Sequence, residues 1–293
     1  MKAFVIGNAA LDETLSVEDL PRPGASIFGR ALSQDLGGKG VNQAVAMART
    51  GLACRLVAAV GDDPRGREIA ARLMGEPVAA RLIVLPGVAT DSSIILMAGH
   101  GENAVITTRA AAAALTPDHA TDALAEAAPG DLLVLQGNLG AQATGAALRA
   151  ARARRMRIAL NPSPLQDYVA DLWPLVDCAF VNEDETAALG GAKRLLSQGV
   201  AEVVLTLGAR GAALVRAGGR IDVPAAPATV LDTTGAGDCF MAVALASAAM
   251  RGVALDARAL RHGARAAAWT VGHAGTVRAF PDMAAMRAIL AGD

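Results

Sequence analysis

The chain has 293 residues, with 27 basic and 28 acidic side chains and a formal net charge of −1. That balance excludes the basic face a nucleic-acid binder needs, and the longest apolar run, Cys239 to Met250, is too short to span a membrane. The length suits one large α/β unit, or a core with a small appendage.

The first predicted strand is Ala3–Gly7. It is too short for a signal peptide and soon meets Asp12 and Glu13, so a cytoplasmic protein is expected. Residues 10–36 interrupt the rhythm, with Leu20-Pro21-Arg22-Pro23-Gly24 as a turn. Apolar or small residues at Val41, Ala44, Val45 and Ala48 have helical spacing, and Gly51 supplies a stop. A strand follows at Arg55–Val60. Residues 88–109 form a second interruption, in which Ser92–Ala98 and Asn103–Thr108 flank Gly99-His100-Gly101-Glu102 as a hairpin. Ala110–Ala114 reads as a helix start. Strands are then predicted at Leu132–Gln136, Arg157–Leu160, Cys178–Val181 and Val203–Leu207, with helices at Thr144–Arg155 and Glu183–Leu189 between them. The basic run Arg152 to Arg157 is the solvated end of a helix. Alternation of this kind predicts a mostly parallel sheet covered on both faces. Cys54, Cys178 and Cys239 are odd in number and set among apolar residues, so reduced core thiols are expected, and the four histidines lack metal-ligand spacing.

Two glycine-containing stretches carry chemistry. Asp232-Thr233-Thr234-Gly235-Ala236-Gly237-Asp238 opens the apolar run that ends at Arg251-Gly252. Small residues at a helix N-terminus leave backbone N–H groups that close on an anion, helped by the helix dipole. A carboxylate in the same turn would repel that anion unless it removes a proton from an attacking hydroxyl, which is the equipment of phosphoryl transfer. The bland alternative is a Gly-rich turn with an acidic capping residue. The second stretch, Leu36-Gly37-Gly38-Lys39-Gly40-Val41-Asn42-Gln43-Ala44, places a lysine between glycines before a helix, and lysine occurs otherwise only at positions 2 and 193. Either that lysine has a specific electrostatic task or it is a solvated turn residue. A Walker loop, the protein-kinase motif set and a dinucleotide fingerprint after the first strand are all absent.

Together these motifs resemble the two signatures of the ribokinase-like, or PfkB, carbohydrate kinases, in the same order and spacing. Asn182-Glu183-Asp184-Glu185 is similar to that family's Asn-x-x-Glu element, and Thr206 to Gly211 to its nucleotide loop. The resemblance covers essentially the whole chain. It implies a three-layer α/β/α core with a mostly parallel sheet, built from residues 1–9, 37–87 and 110–293, and a small β-sheet lid from 10–36 and 88–109. The lid in that family covers the sugar and often mediates dimer contacts, so a homodimer is expected.

The same resemblance implies a set of roles. Asp238 is the base, and the backbone of Gly235, Ala236 and Gly237 forms the anion hole. Asn182, Thr206, Gly208 and Gly211 line the ATP cleft, and Glu185 organises Mg²⁺ through water. Asp232 and Thr234 sit where several members hold K⁺, with further ligands from the loop around His273–Gly275. On the sugar side stand Asp12, Gly38, Lys39, Asn42 and Asn138. Two positions depart from the ribokinase pattern: Ala10 replaces an expected Asn, and Asn138 an expected Glu. The expected activity is transfer of the γ-phosphoryl of Mg-ATP to a hydroxyl of a pentose such as ribose. A nucleoside kinase or a sugar-phosphate kinase of the same fold is the alternative. The first lacks an aromatic wall beyond Phe28, and the second would use Arg109 as its clamp. A non-catalytic sugar-binding protein would need neither Asp238 nor the nest before it.

Overall fold

The alternation within the short apolar strands dictates the architecture. In β1 (Ala3–Ile6), Ala3 and Val5 point to one side and Phe4 and Ile6 to the other, and all four are buried. Such a strand needs cover on both faces. The computed structural model, which describes residues 1–99 and 102–292, has that cover. His100 and Gly101, at the tip of the expected 92–108 hairpin, and Asp293 lie outside the described residues.

The strands that follow β1 are β2 (Ala10–Val17), β3 (Gly29–Gly37), β4 (Cys54–Gly61), β5 (Ala79–Leu85), β6 (Asp91–Ala98) and β7 (Asn103–Thr107). Then come β8 (Leu132–Gln136), β9 (Arg157–Asn161), β10 (Cys178–Asn182), β11 (Glu202–Thr206), β12 (Ala212–Arg216) and β13 (Gly219–Val223). Nine of them form one sheet in the order β13-β12-β11-β10-β9-β8-β1-β4-β5, parallel from β11 to β5. Only the β11–β12 and β12–β13 pairs of this sheet are antiparallel. The chain builds outward from β1 to β5, then returns to β8 on the other side, so the strand order reverses between β1 and β8. Ligands of open α/β sheets gather outside the C-terminal ends of the strands at such a point.

The helices are α1 (Lys39–Arg49), α2 (Pro64–Leu73), α3 (Ala110–Ala113), α4 (Pro117–Asp122), α5 (Ala141–Ala153), α6 (Glu183–Ala188), α7 (Ala192–Ser197), α8 (Ala236–Arg251), α9 (Ala257–Val271) and α10 (Met283–Ala291). Ala3, Val5 and Val134 share one core with Val41 and Met47 of α1, Met241 of α8 and Leu260 of α9. Phe4, Ile6, Leu133 and Leu135 share the opposite core with Ala147 and Leu148 of α5 and with Trp173. The result is three layers, α/β/α. Helix α8 is buried almost all round, as its uniformly apolar sequence requires.

β2, β3, β6 and β7 form a separate four-stranded sheet in the order β3-β2-β6-β7. Its outer pairs are antiparallel and its central β2–β6 pair is parallel. β1 leads into this sheet and β3 leads out of it into α1, so its ends lie beside the switch point.

Each predicted strand is present, with ends shifted by a residue or two. α8 begins at Ala236, three residues before its predicted apolar run, because Gly235 adopts φ +73 and turns the chain into the helix. α5 begins at Ala141, behind Gly140, and stops before Arg155, which has φ +57. β5 and the β12–β13 hairpin lie outside the predicted elements. β5 is an edge strand with partly exposed residues and no clean alternation, which removes the signal. The three cysteines are free and buried, and burial pushes the thiols of Cys54 and Cys239 up to about 12, which leaves them unreactive. Among the described residues, no helix is long and apolar enough to cross a membrane, and no cluster of His, Cys, Asp and Glu has a metal-site arrangement.

Candidate active site

Two helix N-termini face each other at the switch point. Helix α1 follows Gly38, which sits against Asn8 after β1, and Asn8 accepts the Gly40 N–H through Oδ1 at 3.2 Å. Helix α8 follows Gly235. Neither helix has a side-chain cap. In α8 the Ala236 N–H turns back to the Thr233 carbonyl at 3.3 Å, and the Cys239 N–H donates to the Gly235 carbonyl at 2.9 Å. The N–H groups of Gly235, Gly237 and Asp238 have no protein acceptor among the described residues. They are the donors available to an anion. Of the three residues expected in the nest, Gly235 and Gly237 have free amides and Ala236 is engaged elsewhere; the amide of Asp238 is free beside them.

Asp238 is buried in the first turn of α8. Its Oδ2 accepts from Asn42 Nδ2 at 2.9 Å and its Oδ1 from Gln43 Nε2 at 2.8 Å. Half-buried Lys39 places Nζ 3.7 Å from Oδ1, so its cationic head lies beside this carboxylate. Gln43 is in turn held by Gln136, whose Nε2 donates to Gln43 Oε1 at 2.7 Å.

A second buried carboxylate, Asp12 on β2, stands close by. Thr276 Oγ1 donates to its Oδ2 at 2.9 Å, and its Oδ1 has no protein partner. Burial pushes the Asp12 carboxyl above the usual carboxylate range, and the charges of Asp35 and Asp238 add to this. The hydroxyls of Ser93 and Thr276 pull the other way. Asp35 holds the same loop, accepting the N–H groups of Thr276 at 2.8 Å and Arg278 at 3.2 Å on Oδ2. Asn138, after β8, is buried with Oδ1 unpartnered, and Asn42 Oδ1 is likewise unpartnered. Buried acceptors without donors are costly in isolation and are suited to a ligand that brings hydroxyl protons. Ala10 is fully buried in β2 beside Gly37 and offers no polar group.

On the other side of α8 lies a cleft of about 900 Å³ lined by Asn182, Thr206, Gly208, Gly211, Ala236 and Gly237. Its far end is apolar, with Pro227, Val230, Val271 and several alanines. Asn182 and Glu185 form a reciprocal cap on α6: Asn182 Oδ1 accepts the Glu185 N–H at 2.8 Å, and Glu185 Oε2 accepts the Asn182 N–H at 3.0 Å. Glu185 Oε1 has no protein partner among the described residues. Asp232 Oδ1 accepts the Thr234 N–H at 2.9 Å and its Oδ2 the Gly275 N–H at 3.0 Å, so the loop before Thr276 is drawn to Asp232 as expected. Arg109 is exposed and donates to Gln166 Oε1 at 3.1 Å, while Phe28 projects fully into solvent.

Residues 2–283 match the model of the pfkB family carbohydrate kinases. The chain belongs to this family. It is 29% identical over 271 residues to the ribokinase of Bacillus subtilis, covering 91% of this chain and 92% of that protein. It is 26% identical over 294 residues to a bifunctional ribokinase/ribose-5-phosphate isomerase A of Fructilactobacillus sanfranciscensis, of which it spans 54%. Among solved structures, ribokinase from Cryptococcus neoformans var. grubii in complex with ADP superposes with a TM-score of 0.84 at 28% identity, covering 98% of this chain and 99% of that one. The fold is therefore ribokinase-like, and the chain is a carbohydrate kinase of the phosphotransferase class.

For this kinase the fold gathers Asp12, Gly38, Lys39 and Asn42 on the small-sheet side of α8 and Asn182, Thr206, Gly208 and Gly211 on the other, while Asn138 is buried just past the C-terminal end of β8. Asp238 lies between the two groups. Sequence reasoning missed Asp35, Gln136 and Thr276, and passed over Gln43 within its own motif. Gln43 follows Asn42 directly and Gln136 is a polar residue at the end of an apolar strand, a signal open to notice. Asp35 and Thr276 carry no local signal.

Proposed function

We propose that this chain transfers the γ-phosphoryl group of Mg-ATP to a hydroxyl of a pentose such as ribose. The observation that carries this reading is the position of Asp238: a buried carboxylate held by amide donors, one residue from free backbone N–H groups, with the unpartnered oxygens of Asp12 and Asn42 nearby and an apolar-ended cleft beyond Gly237. The acceptor hydroxyl gives its proton to Asp238 as its oxygen bonds to the γ-phosphorus. The bond from that phosphorus to the bridging oxygen breaks, and its electron pair leaves with ADP. The N–H groups of Gly235, Gly237 and Asp238 receive the charge that develops on the transferred group, where preorganised donors contribute most.

The donor set fits the two further groups the family uses. When bound, Mg²⁺ would supply charge neutralisation for the phosphates, and Glu185 would hold it through water with the oxygen its cap leaves free. Asp232 and Thr234 would hold K⁺, the Asp232 carboxylate keeping lone pairs beyond its two amide bonds. The small sheet, residues 10–36 and 88–109, acts as a lid over the sugar. Exposed Phe28, Leu32, Ile94 and Ile106 on it support a homodimer through this element.

Pentose is favoured over a nucleoside because Phe28 points to solvent and supplies no wall for a base. It is favoured over a sugar phosphate because Arg109 is bound to Gln166. The test is ADP release with Mg-ATP and K⁺ across ribose, other pentoses and hexoses, nucleosides and fructose phosphates, with Asp238→Asn as control. Turnover on a free pentose that Asp238→Asn lowers by about a thousandfold or more supports the reading. Turnover confined to nucleosides or sugar phosphates overturns the acceptor, and a control with near-normal turnover overturns the base.

A further inference from the structure

β8 ends in a residue that its position does not explain. The strand alternates, so Gln136 shares its side with Leu132 and Val134, both buried in the core beneath α1 and α8. A leucine would satisfy that layer. Gln136 is instead wholly buried, and its Oε1 has no partner. The structure also makes room for it, because a Cβ on Gly7 would lie 2.0 Å from Gln136 Oε1. Burying an amide with one end unsatisfied is unfavourable, so the other end has a use.

That other end donates to Gln43, itself wholly buried, and Gln43 donates to Asp238 Oδ1. The chain of amides has only one direction. An ionised carboxylate accepts and never donates, so Gln43 turns its NH₂ to Asp238 and its carbonyl to Gln136. Gln136 must then present its own NH₂, which leaves its carbonyl oxygen facing away. The unpartnered atom is the necessary end of a directed chain, and each bond in such a chain strengthens the next. Lys39 lies on the same oxygen, Oδ1. Among the described residues, Oδ2 is held only by Asn42, a side chain on the acceptor side of the site.

We infer that Gln43 is a positioning residue that fixes the Asp238 carboxylate through Oδ1, that Gln136 acts through Gln43, and that Oδ2 is the oxygen left to take the acceptor proton. This rests on the reading of Asp238 as base. The incoming hydroxyl replaces the Asn42 amide at Oδ2 while Gln43 keeps the carboxylate from rotating.

The experiment compares Gln43→Met, Gln136→Leu, the double variant and Asp238→Asn by steady-state kinetics and thermal melting on the full chain. Gln43→Met is expected to lower kcat about 10- to 100-fold, with KM for sugar and ATP each within about twofold. Gln136→Leu is expected to lower kcat about 3- to 10-fold, and the double variant to be no worse than Gln43→Met. The melting temperature separates this from a packing role. Gln136→Leu removes its own unsatisfied carbonyl but leaves that of Gln43 without a donor, so the two effects offset and it melts near the wild-type temperature while kcat falls. A packing role gives the reverse, a lower melting temperature with kcat unchanged, and overturns the inference. Losses confined to KM, or losses that simply add in the double variant, also overturn it. Should Gln43→Met not fold, Gln136→Leu decides alone. If Asp238→Asn is inactive and Gln136→Leu is unaffected, the inference fails and the base stands. If Asp238→Asn turns over normally, the base itself fails.

Discussion

Gly37→Ala isolates the role of Asp12 without touching the carboxylate itself. A Cβ on Gly37 would lie 2.0 Å from Asp12 Oδ2, 2.1 Å from Cγ and 2.4 Å from Oδ1, where real Cβ contacts stay beyond 3.0 Å. The backbone gives no relief and adds no strain, since Gly37 is not among the positive-φ glycines. The Asp12 carboxylate must therefore move by at least about 1 Å. A shift of that size breaks the 2.9 Å bond from Thr276 and carries Oδ1 out of its place. A hydrogen bond to a charged group contributes about 1.5–3 kcal/mol, which is about 10- to 100-fold in affinity. The sugar KM should rise by that factor at saturating ATP, and the ATP KM should stay within about twofold because its cleft lies beyond α8. The assay is ADP release against sugar concentration, with melting recorded alongside. A sugar KM within twofold of wild type, in a variant that melts normally, would refute the placement of Asp12 as the hydroxyl ligand.

Asp12→Asn removes a carboxyl whose folded value burial raises above 3.8, so the penalty it relieves is absent at low pH and grows as pH rises through the folded value. The variant should melt above wild type at pH 7 by a margin that shrinks toward pH 4, although sugar binding is weakened; a margin independent of pH would contradict this. Arg49 makes a two-pronged pair with Glu76 and donates to the carbonyls of Val277 and Phe280, so Arg49→Ala should cost about 2 kcal/mol and lower the melting temperature by about 4–8 °C. The proposed homodimer through the small sheet predicts a dimer mass in light scattering that Phe28→Asp lowers to the monomer; a mass that Phe28→Asp leaves unchanged would remove the small sheet as the interface.

The sequence made legible what is contiguous. Gly235 to Asp238 and Gly38 to Asn42 each lie within one turn of one helix, so composition, spacing and helix polarity were enough to mark them. The supports of those residues are legible only in space. Gln136 reaches Gln43 across 93 positions, and Thr276 reaches Asp12 across 264. Asp35 acts on the backbone of Thr276 from 241 positions away, through N–H groups that every residue but proline carries. No property of Asp35 itself distinguishes it from a solvated acid. Edge strands such as β5 were hidden for a different reason, since a strand exposed on one side and at its rim has no periodic pattern to detect.

These distant contacts meet in one loop, which gives the site its unity. The Gly275 N–H is bound to Asp232, three residues before the first free amide donor, at Gly235, where the chain turns into α8. The next residue, Thr276, places its hydroxyl on Asp12 and its N–H on Asp35. Arg49 clamps the same segment from behind through Val277 and Phe280. Consecutive residues thus fix the turn that feeds the anion donors and the carboxylate that faces the acceptor pocket. Groups sharing one backbone segment cannot move independently, so substitutions on its two sides should fail to add. Thr276→Val combined with Asp232→Asn should lose less than the product of the single losses in kcat/KM. Strict multiplicativity would show that the two sides of the site are held separately.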